Sequence, residues 1–490
     1  MGVDRQAVPD DAADRSPDSR PGAFWHRGVE RNGVDRIPEE ERTSTPVTFF
    51  VIFVGTSVGL GAVAFGWVGI TFGLGVWATI SAIAAGTAVG QILLVPLILA
   101  GSRAATNDAT ASGATFGVRG RVIGSGIGLA TCLVSVALTV WTSGSAGLAV
   151  ASRLFGLPDS PAAQAGAFAL VVAVSVAVAI WGYRWLVRST ATLALIGGTL
   201  LVLMPFAFAG AIKWDYVGGQ YLLGTFWPTW LSLAATVGVA GALVVCTIVG
   251  DWTRYIRSDR HPARTLAPIA SAGIFVGFVV PATVGAVVAT AFADPFAPFP
   301  VSLAGESPTW YAVVLLPLAL LGGVGLTASS LYSAGLDLDA LVVRLTRAQA
   351  TVIIGVVAVA LVYLGMLAPR VQESISAALL VLAELSAPWA VIFGLGFLQA
   401  RGNYHADDLQ VFNRRETGGR YWYTAGWHLP AALAWAAGSI AGLLTMQTPL
   451  YTGPLAGIAN GIDISLLAAA VVAALIYLPL TTRRGAGQAA

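Results

Sequence analysis

Two runs of glycine and hydroxyl residues hold most of the chemistry that this chain can offer. The first is Gly55-Thr56-Ser57-Val58-Gly59-Leu60-Gly61, and the second is Gly322-Gly323-Val324-Gly325-Leu326-Thr327-Ala328-Ser329-Ser330. Glycine removes side-chain bulk and weakens helical continuity. A helix that breaks within a membrane frees backbone carbonyls. With serine and threonine hydroxyls they become hard oxygen donors, suited to a monovalent cation or to a polar substrate edge. Close packing through small residues is the competing account, as is bonding of Ser and Thr to their own helix. A third run, Gly250-Asp251-Trp252-Thr253-Arg254-Tyr255, puts Asp251 where it can cap a short helix, pair with Arg254 or control a gate. Glu384 lies within an apolar stretch, where a carboxylate is costly. It reads as a proton-sensitive or gating residue, or as one bonded to neighbouring hydroxyls. His26, His261, His405 and His428 are scattered, and no metal cluster, nucleophilic triad or phosphate loop emerges. Cys132 and Cys246 sit in apolar segments and read as packing. No enzyme, cofactor or nucleic-acid partner is expected.

The elements that must position these residues are membrane helices. The chain has 490 residues, of which 56% are hydrophobic and 11% charged, too few polar faces for a soluble protein of this length. Twelve apolar stretches are expected to be spans: 47–71, 75–99, 123–152, 163–183, 189–210, 229–250, 266–292, 309–336, 349–368, 374–399, 428–447 and 464–481. Most reach the roughly 17–25 residues that cross a bilayer. With the amino terminus in the cytoplasm, the inner short loops hold 15 arginines, while the outer loops hold only Arg153, Lys213 and Arg370. Such a bias fixes orientation and predicts a multi-pass plasma-membrane protein with both termini cytoplasmic. The net charge of +2 then reports topology, not a nucleic-acid surface. Residues 1–46 are polar and suit a flexible tail, residues 482–490 form a second tail, and no cleavable signal peptide is evident after Met1.

Breaks in spans one and six imply an internal repeat. If helices 1–5 recur as helices 6–10, an odd number inverts the second copy, and the two broken helices meet near the midplane. The organisation expected is a first repeat over 47–210, an inverted second repeat over 229–399, and two added helices over 428–481.

Five motifs carry a family resemblance. They are Gly33-Val34-Asp35-Arg36-Ile37-Pro38 before the first span, Ala114-Thr115-Phe116-Gly117-Val118-Arg119-Gly120 before the third, Gly250-Asp251-Trp252-Thr253-Arg254-Tyr255 after the sixth, Tyr332-Ser333-Ala334-Gly335-Leu336-Asp337-Leu338 ending the eighth, and Ala387-Pro388-Trp389-Ala390 in the tenth. In order and spacing the chain resembles the nucleobase:cation symporter-1 family, in its purine–cytosine permease branch, over roughly residues 30–480. The resemblance implies an all-α, LeuT-like inverted repeat. It also implies uptake of a nucleobase or related planar heterocycle by cation symport.

The resemblance further implies a site. Trp141 matches an aromatic that stacks on a flat substrate, and Ser145 stands where the permease branch carries an amide. Ala242 stands where a second aromatic is common. Gly55, Ser57 and Ser329 are expected to complete the substrate site; Thr56, Gly59, Thr327 and Ser330 are expected to hold the coupling ion, with sodium expected and a proton the alternative. Asp251, Arg254 and Glu384 are expected to gate or couple, while Asp337 and Asp339 read as surface or loop residues. Membrane lipids, the heterocycle and a monovalent cation are the partners expected, with no obligate protein partner evident. Losses at positions 145 and 242 leave one alternative of another class: a nutrient sensor or non-transporting scaffold that keeps the transporter fold.

Overall fold

The computed structural model describes residues 32–158, 160–297, 299–342, 344–345, 347–367, 371–448 and 451–487. Among these residues the chain is all helix, and β-type pairing is confined to isolated bridges such as Ser44 with Ile256. The first half comprises α1 (Pro46–Thr56), α2 (Leu60–Thr71), α3 (Val76–Ala104), α4 (Asp108–Phe116), α5 (Val122–Phe155), α6 (Pro161–Trp181) and α7 (Tyr183–Ala207). The second comprises α8 (Phe226–Leu233), a π-helical segment (Ala234–Val239), α9 (Ala240–Leu243), α10 (Val249–Thr253), α11 (Ala263–Ala289), α12 (Phe299–Glu306), α13 (Thr309–Leu341), α14 (Arg347–Gly365) and α15 (Val371–Gln399). After α16 (Ala406–Leu409) come α17 (Leu429–Thr445) and α18 (Ser465–Gly487). The last helix therefore runs past residue 481, where a tail was expected.

Among the described residues eight helices are long and apolar enough to span a bilayer, and α1 with α2 forms a ninth span bent by 67°. Shorter apolar helices, Gln349–Gly365, Leu429–Thr445 and Ser465–Thr481, occupy the three remaining expected stretches. The first span starts cleanly because Thr45 and Thr48 form a capping box across its first turn, with Pro46 at the first helical position. It stops at Thr56 and restarts after Gly59. The sixth span is also discontinuous. It passes through the π-helical segment, ends its α-helix at Leu243 and resumes at Val249.

Glycines bring the broken spans close to their neighbours. A Cβ at Gly66 of α2 would fall 1.7 Å from the Ala282 carbonyl oxygen of α11, and one at Gly285 would fall 1.8 Å from that of Val63. Gly238 of the π-helical segment meets Gly86 of α3 in the same way, at 2.7 Å. In lipid such van der Waals contact, not water exclusion, holds helices together. Filling any of these positions would cost about 1–3 kcal/mol in overpacking.

The expected amino-terminal tail needs correction over residues 32–45; residues 1–31 lie outside the described residues. Residues 32–45 form a strap across one end of the helices. Arg42, 5% exposed, donates to the carbonyls of Arg254 (2.9 Å), Ile256 (2.7 Å) and Ser102. Ile37 N–H donates to the Ala105 carbonyl at 2.8 Å, and the Val34 carbonyl accepts from Thr106 (2.6 Å) and Gln410 (3.3 Å). Burial pushes the Arg42 pKa down, opposed mainly by Glu39. Its carbonyl partners satisfy a guanidinium that would otherwise be costly to bury.

Candidate functional site

The break in the first span lies against α13. A Cβ at Gly322 would fall 2.6 Å from the Val58 carbonyl oxygen and 2.7 Å from Gly59 Cα. One at Gly59 would fall 3.3 Å from the Gly322 carbonyl oxygen, and one at Gly325 3.5 Å from that of Gly55. Backbone thus meets backbone, so the carbonyls of the break lie beside α13. Helical periodicity then says which hydroxyls share that face. Ser329 follows Gly322 by seven residues and Gly325 by four; it is buried, and its Oγ has no hydrogen-bond partner.

Thr327 and Ser330 belong to a different face. They follow Gly323 by four and seven residues, and a Cβ at Gly323 would fall 2.7 Å from Ser143 Cβ of α5. Helical phase therefore turns Ser329 toward helix-one carbonyls more directly than Thr327 or Ser330, the residues expected there. Thr327 Oγ1 is also buried without a partner, but on the α5 side. Two residues within the break are placed differently too. Thr56 donates its hydroxyl to the Phe53 carbonyl of its own helix at 3.1 Å. Ser57 Oγ lies 3.0 Å from where a Cβ of Gly277 would stand, so it faces α11. Gly55 abuts the Thr190 carbonyl of α7, at 2.0 Å from its would-be Cβ. Gly55 and Gly59 act through their backbone and their lack of bulk.

Trp141 is half-buried on α5 and tilts against Phe168 of α6, with ring centroids 5.1 Å apart. Ser145, one turn later, has a buried Oγ without a partner. These two share a helix face. Ala242 does not join them. It is fully buried, with its Cβ 2.6 Å from where a Cβ of Gly90 would stand, so it faces α3. Its small size answers to that crossing, which corrects its assignment to the substrate. Phe226, Trp227 and Trp230 form edge-to-face contacts with one another, and Trp227 is 67% exposed, as an interfacial belt would be.

Beyond the second break the polar groups are denser than the sequence suggested. Asp251, Trp252 and Arg254 are all buried on or beside α10. Trp252 packs against Tyr332 (5.3 Å between ring centroids) and Tyr183 (6.1 Å). Arg254 donates to Tyr332 Oη at 3.0 Å and to the Gly33 carbonyl at 2.5 Å. Asp108, at the start of α4, accepts the Gly250 N–H at 2.6 Å. A Cβ at Gly250 would strike that carboxylate at 2.3 Å, so glycine is required. Burial, then the neighbouring Asp251, push the Asp108 pKa well above the ordinary 3.8.

Asp337 corrects its reading as a surface or loop residue. It is 2% exposed, and its Oδ2 would lie 2.3 Å from a Cβ at Gly128 of α5, where Thr247 also packs. Asp337 Oδ2 and Asp108 Oδ1 are buried atoms without a hydrogen-bond partner, as is Thr247 Oγ1. Asp339 accepts the Val34 N–H at 3.3 Å and so anchors the strap. Arg121 donates to the Ala340 carbonyl at 3.0 Å and to Asn413 Oδ1, and burial pushes its pKa down to about 10.

Glu384 is fully buried on α15, and neither carboxylate oxygen has a hydrogen-bond partner. It fills the space over Gly442 of α17, its Oε1 1.9 Å from a would-be Cβ. Trp389, five residues on, packs over Gly124 of α5, so Glu384 leaves α15 on another side. Thus Ser329 shares the face of α13 that meets the first break, Asp251 and Arg254 follow the second, and Glu384 leaves α15 toward α17. Cys132 and Cys246 are buried free thiols, and no group of three metal-ligating side chains forms among the described residues.

Comparison with known proteins gives these features a context. A family model described as permease for cytosine/purines, uracil, thiamine, allantoin matches residues 36–467. Mhp1, a nucleobase-cation-symport-1 family transporter in a closed conformation with bromovinylhydantoin bound, superposes with a TM-score of 0.71, at 18% identity over 92% of this chain and 94% of that one. The inward-facing conformation of Mhp1 gives 0.68, at 19% identity over 94% and 96%. A substrate-bound, outward-open Na+-coupled sialic acid symporter gives 0.54, at 13% identity over 89% and 91%. These likenesses establish the LeuT-type fold. A search of curated proteins found no match.

Proposed function

We propose a function for a chain that belongs to the family of permeases for cytosine/purines, uracil, thiamine and allantoin: import of a nucleobase or related planar heterocycle, coupled to a monovalent cation. The family is one of transporters, and the chain is a multi-pass membrane transporter by fold, not an enzyme. The observation that carries the coupled reading is the break at Ser57–Gly59 pressed against Gly322 and Gly325. The unpartnered Ser329 hydroxyl falls on that same face of α13 by helical phase, which supports a cation held there by hydroxyl and carbonyl oxygens. Oxygen donors without a carboxylate suit sodium, a hard monovalent ion. The heterocycle would stack on Trp141, with Ser145 meeting its edge; the hydantoin bound by Mhp1 is a small ring of that kind. Arginine bias supports a cytoplasmic position for the termini and the strap, as in a carrier of the plasma membrane.

Transport needs no covalent step. Cation and substrate must bind one conformation better than the other. Joint occupancy at the two breaks would favour closure, and opening at the strap end would release substrate inward. There Arg42, Arg254 and Asp108 tie the strap, α10 and α4 together, and those ties would have to part.

One observation favours a proton over sodium. Asp337 and Asp108 each hold a buried oxygen without a hydrogen-bond partner beyond the second break, and Asp251 lies near both. Buried like charges resist joint ionisation, so one proton held among them is a coupling device as simple as a sodium ion.

Purified protein in liposomes, given labelled cytosine, adenine, guanine, hypoxanthine, uracil, allantoin or hydantoins, tests both. Uptake driven by a sodium gradient alone supports the first reading. Uptake driven by a pH gradient without sodium, and lost in Asp337→Asn, supports the second. Binding without turnover in a reconstitution validated with a known carrier would make the protein a sensor.

A further inference from the structure

A groove of about 310 Å3 lies between the end of α3 and the start of α11, apart from both broken spans. Leu99, Arg103, Ser258, His261, Pro262 and Leu266 line it. Both helices are membrane spans, and both bare large apolar side chains on their flanks: Trp77, Val89 and Ile92 on α3, Val280 on α11. The groove therefore opens at the protein's perimeter, at the level where lipid headgroups lie.

Its charge is positive. Arg103 is exposed and donates weakly, at 3.5 Å, to the carbonyls of Arg401 and Gly402. Asp259 also lines the groove, but Arg257 grips its carboxylate through Nε at 3.0 Å and Nη2 at 2.6 Å. Arg260 and Arg264 are exposed and adjoin lining residues in the chain. The acid is thus already paired, and the unpaired charge at the mouth belongs to arginine. Leu99 and Pro262 remain partly accessible and add an apolar margin. A free inorganic anion has no use for such a margin; the glycerol and first methylenes of a lipid do.

We propose that this groove binds the phosphodiester headgroup of an anionic membrane lipid, with Arg103 as the main contact and His261 and Ser258 as further donors. Arginine suits phosphate through its fork of donors, and basic pockets between span ends favour such headgroups. The proposal does not depend on what the central site carries.

The full-length protein, purified in detergent, is titrated with phosphatidylglycerol or phosphatidylcholine, and bound lipid is counted by native mass spectrometry. Phosphatidylglycerol should be retained and phosphatidylcholine not. Arg103→Gln and His261→Gln should each weaken retention, the first by roughly five-fold. Arg184→Gln, an exposed arginine at the α6–α7 turn, should change nothing. Should Arg103→Gln fail to fold, His261→Gln decides alone. Retention unchanged in the foldable groove variants would overturn the proposal. So would an equal fall in Arg184→Gln, or displacement of the lipid by millimolar inorganic phosphate.

Discussion

Replacing Gly322 by alanine tests whether the apposition of α13 and the first break is functional. The new Cβ would stand 2.6 Å from the Val58 carbonyl oxygen, where ordinary contact begins at 3.4 Å. Relief requires about 0.8 Å of backbone movement, since the obstacles at Val58 and Gly59 are main-chain atoms. Such overpacking costs about 1–3 kcal/mol, or roughly five- to 150-fold in the population that keeps the contact. The same movement draws the carbonyls of Gly55 and Val58 away from Ser329. Cation-dependent substrate affinity in Gly322→Ala should therefore fall within that range, while the protein stays helical and monodisperse. Gly61→Ala is the control: it lies in α2, and its Cβ would meet nothing within 4 Å. That variant should transport normally and be slightly more stable, because alanine suits a helix better than glycine. A well-folded Gly322→Ala with wild-type affinity at every cation concentration would refute the reasoning.

Trp141→Ala should weaken heterocycle binding by roughly five- to 150-fold, the range of about 1–3 kcal/mol for stacking on an aromatic platform; equilibrium binding to folded protein measures it, and unchanged affinity removes Trp141 from the site. Ser329→Ala should reduce the sodium dependence of that binding more than Thr327→Ala does, because only Ser329 shares the face that meets the break; equal effects in sodium titrations would count against the assigned phase of α13. Asp108→Asn keeps an oxygen for the Gly250 N–H and removes a buried charge. The Asp108 carboxyl has a raised folded pKa, so its share of stability is full below the ordinary 3.8 and is lost as pH rises through the raised value. Thermal unfolding of Asp108→Asn should therefore decline less between acid and neutral pH than that of the wild type, and parallel curves would contradict the burial argument.

Much of the fold was legible because hydropathy and arginine placement are one-dimensional signals. The glycine run at residues 55–61 likewise announced the 67° break. What sequence could not supply was phase. Thr327, Ser329 and Ser330 are chemically alike, and only the positions of Gly322 and Gly323 against α1 and α5 tell them apart. Ala242 looked like a vacated aromatic position but is small because Gly90 crosses there. Phenylalanine at position 242 would therefore force α3 away and not build a second stacking platform. Hydropathy ends the eighth span at residue 336 and so puts Asp337 at the surface; α13 continues to Leu341 and carries the carboxylate into the protein against Gly128. The strap escaped notice because polar composition resembles a tail. Only the structure reveals that Arg42 meets three main-chain carbonyls.

The central claim is coupled import, and accumulation against a gradient measures it most directly. Protein reconstituted in liposomes, loaded with potassium and diluted into sodium, should concentrate a labelled nucleobase or hydantoin above its external level. Dissipating the sodium gradient should abolish that accumulation. If a pH gradient replaces sodium, the coupling ion changes and the carrier account stands. Equilibration to the external concentration and no further, unaffected by either gradient, would contradict it.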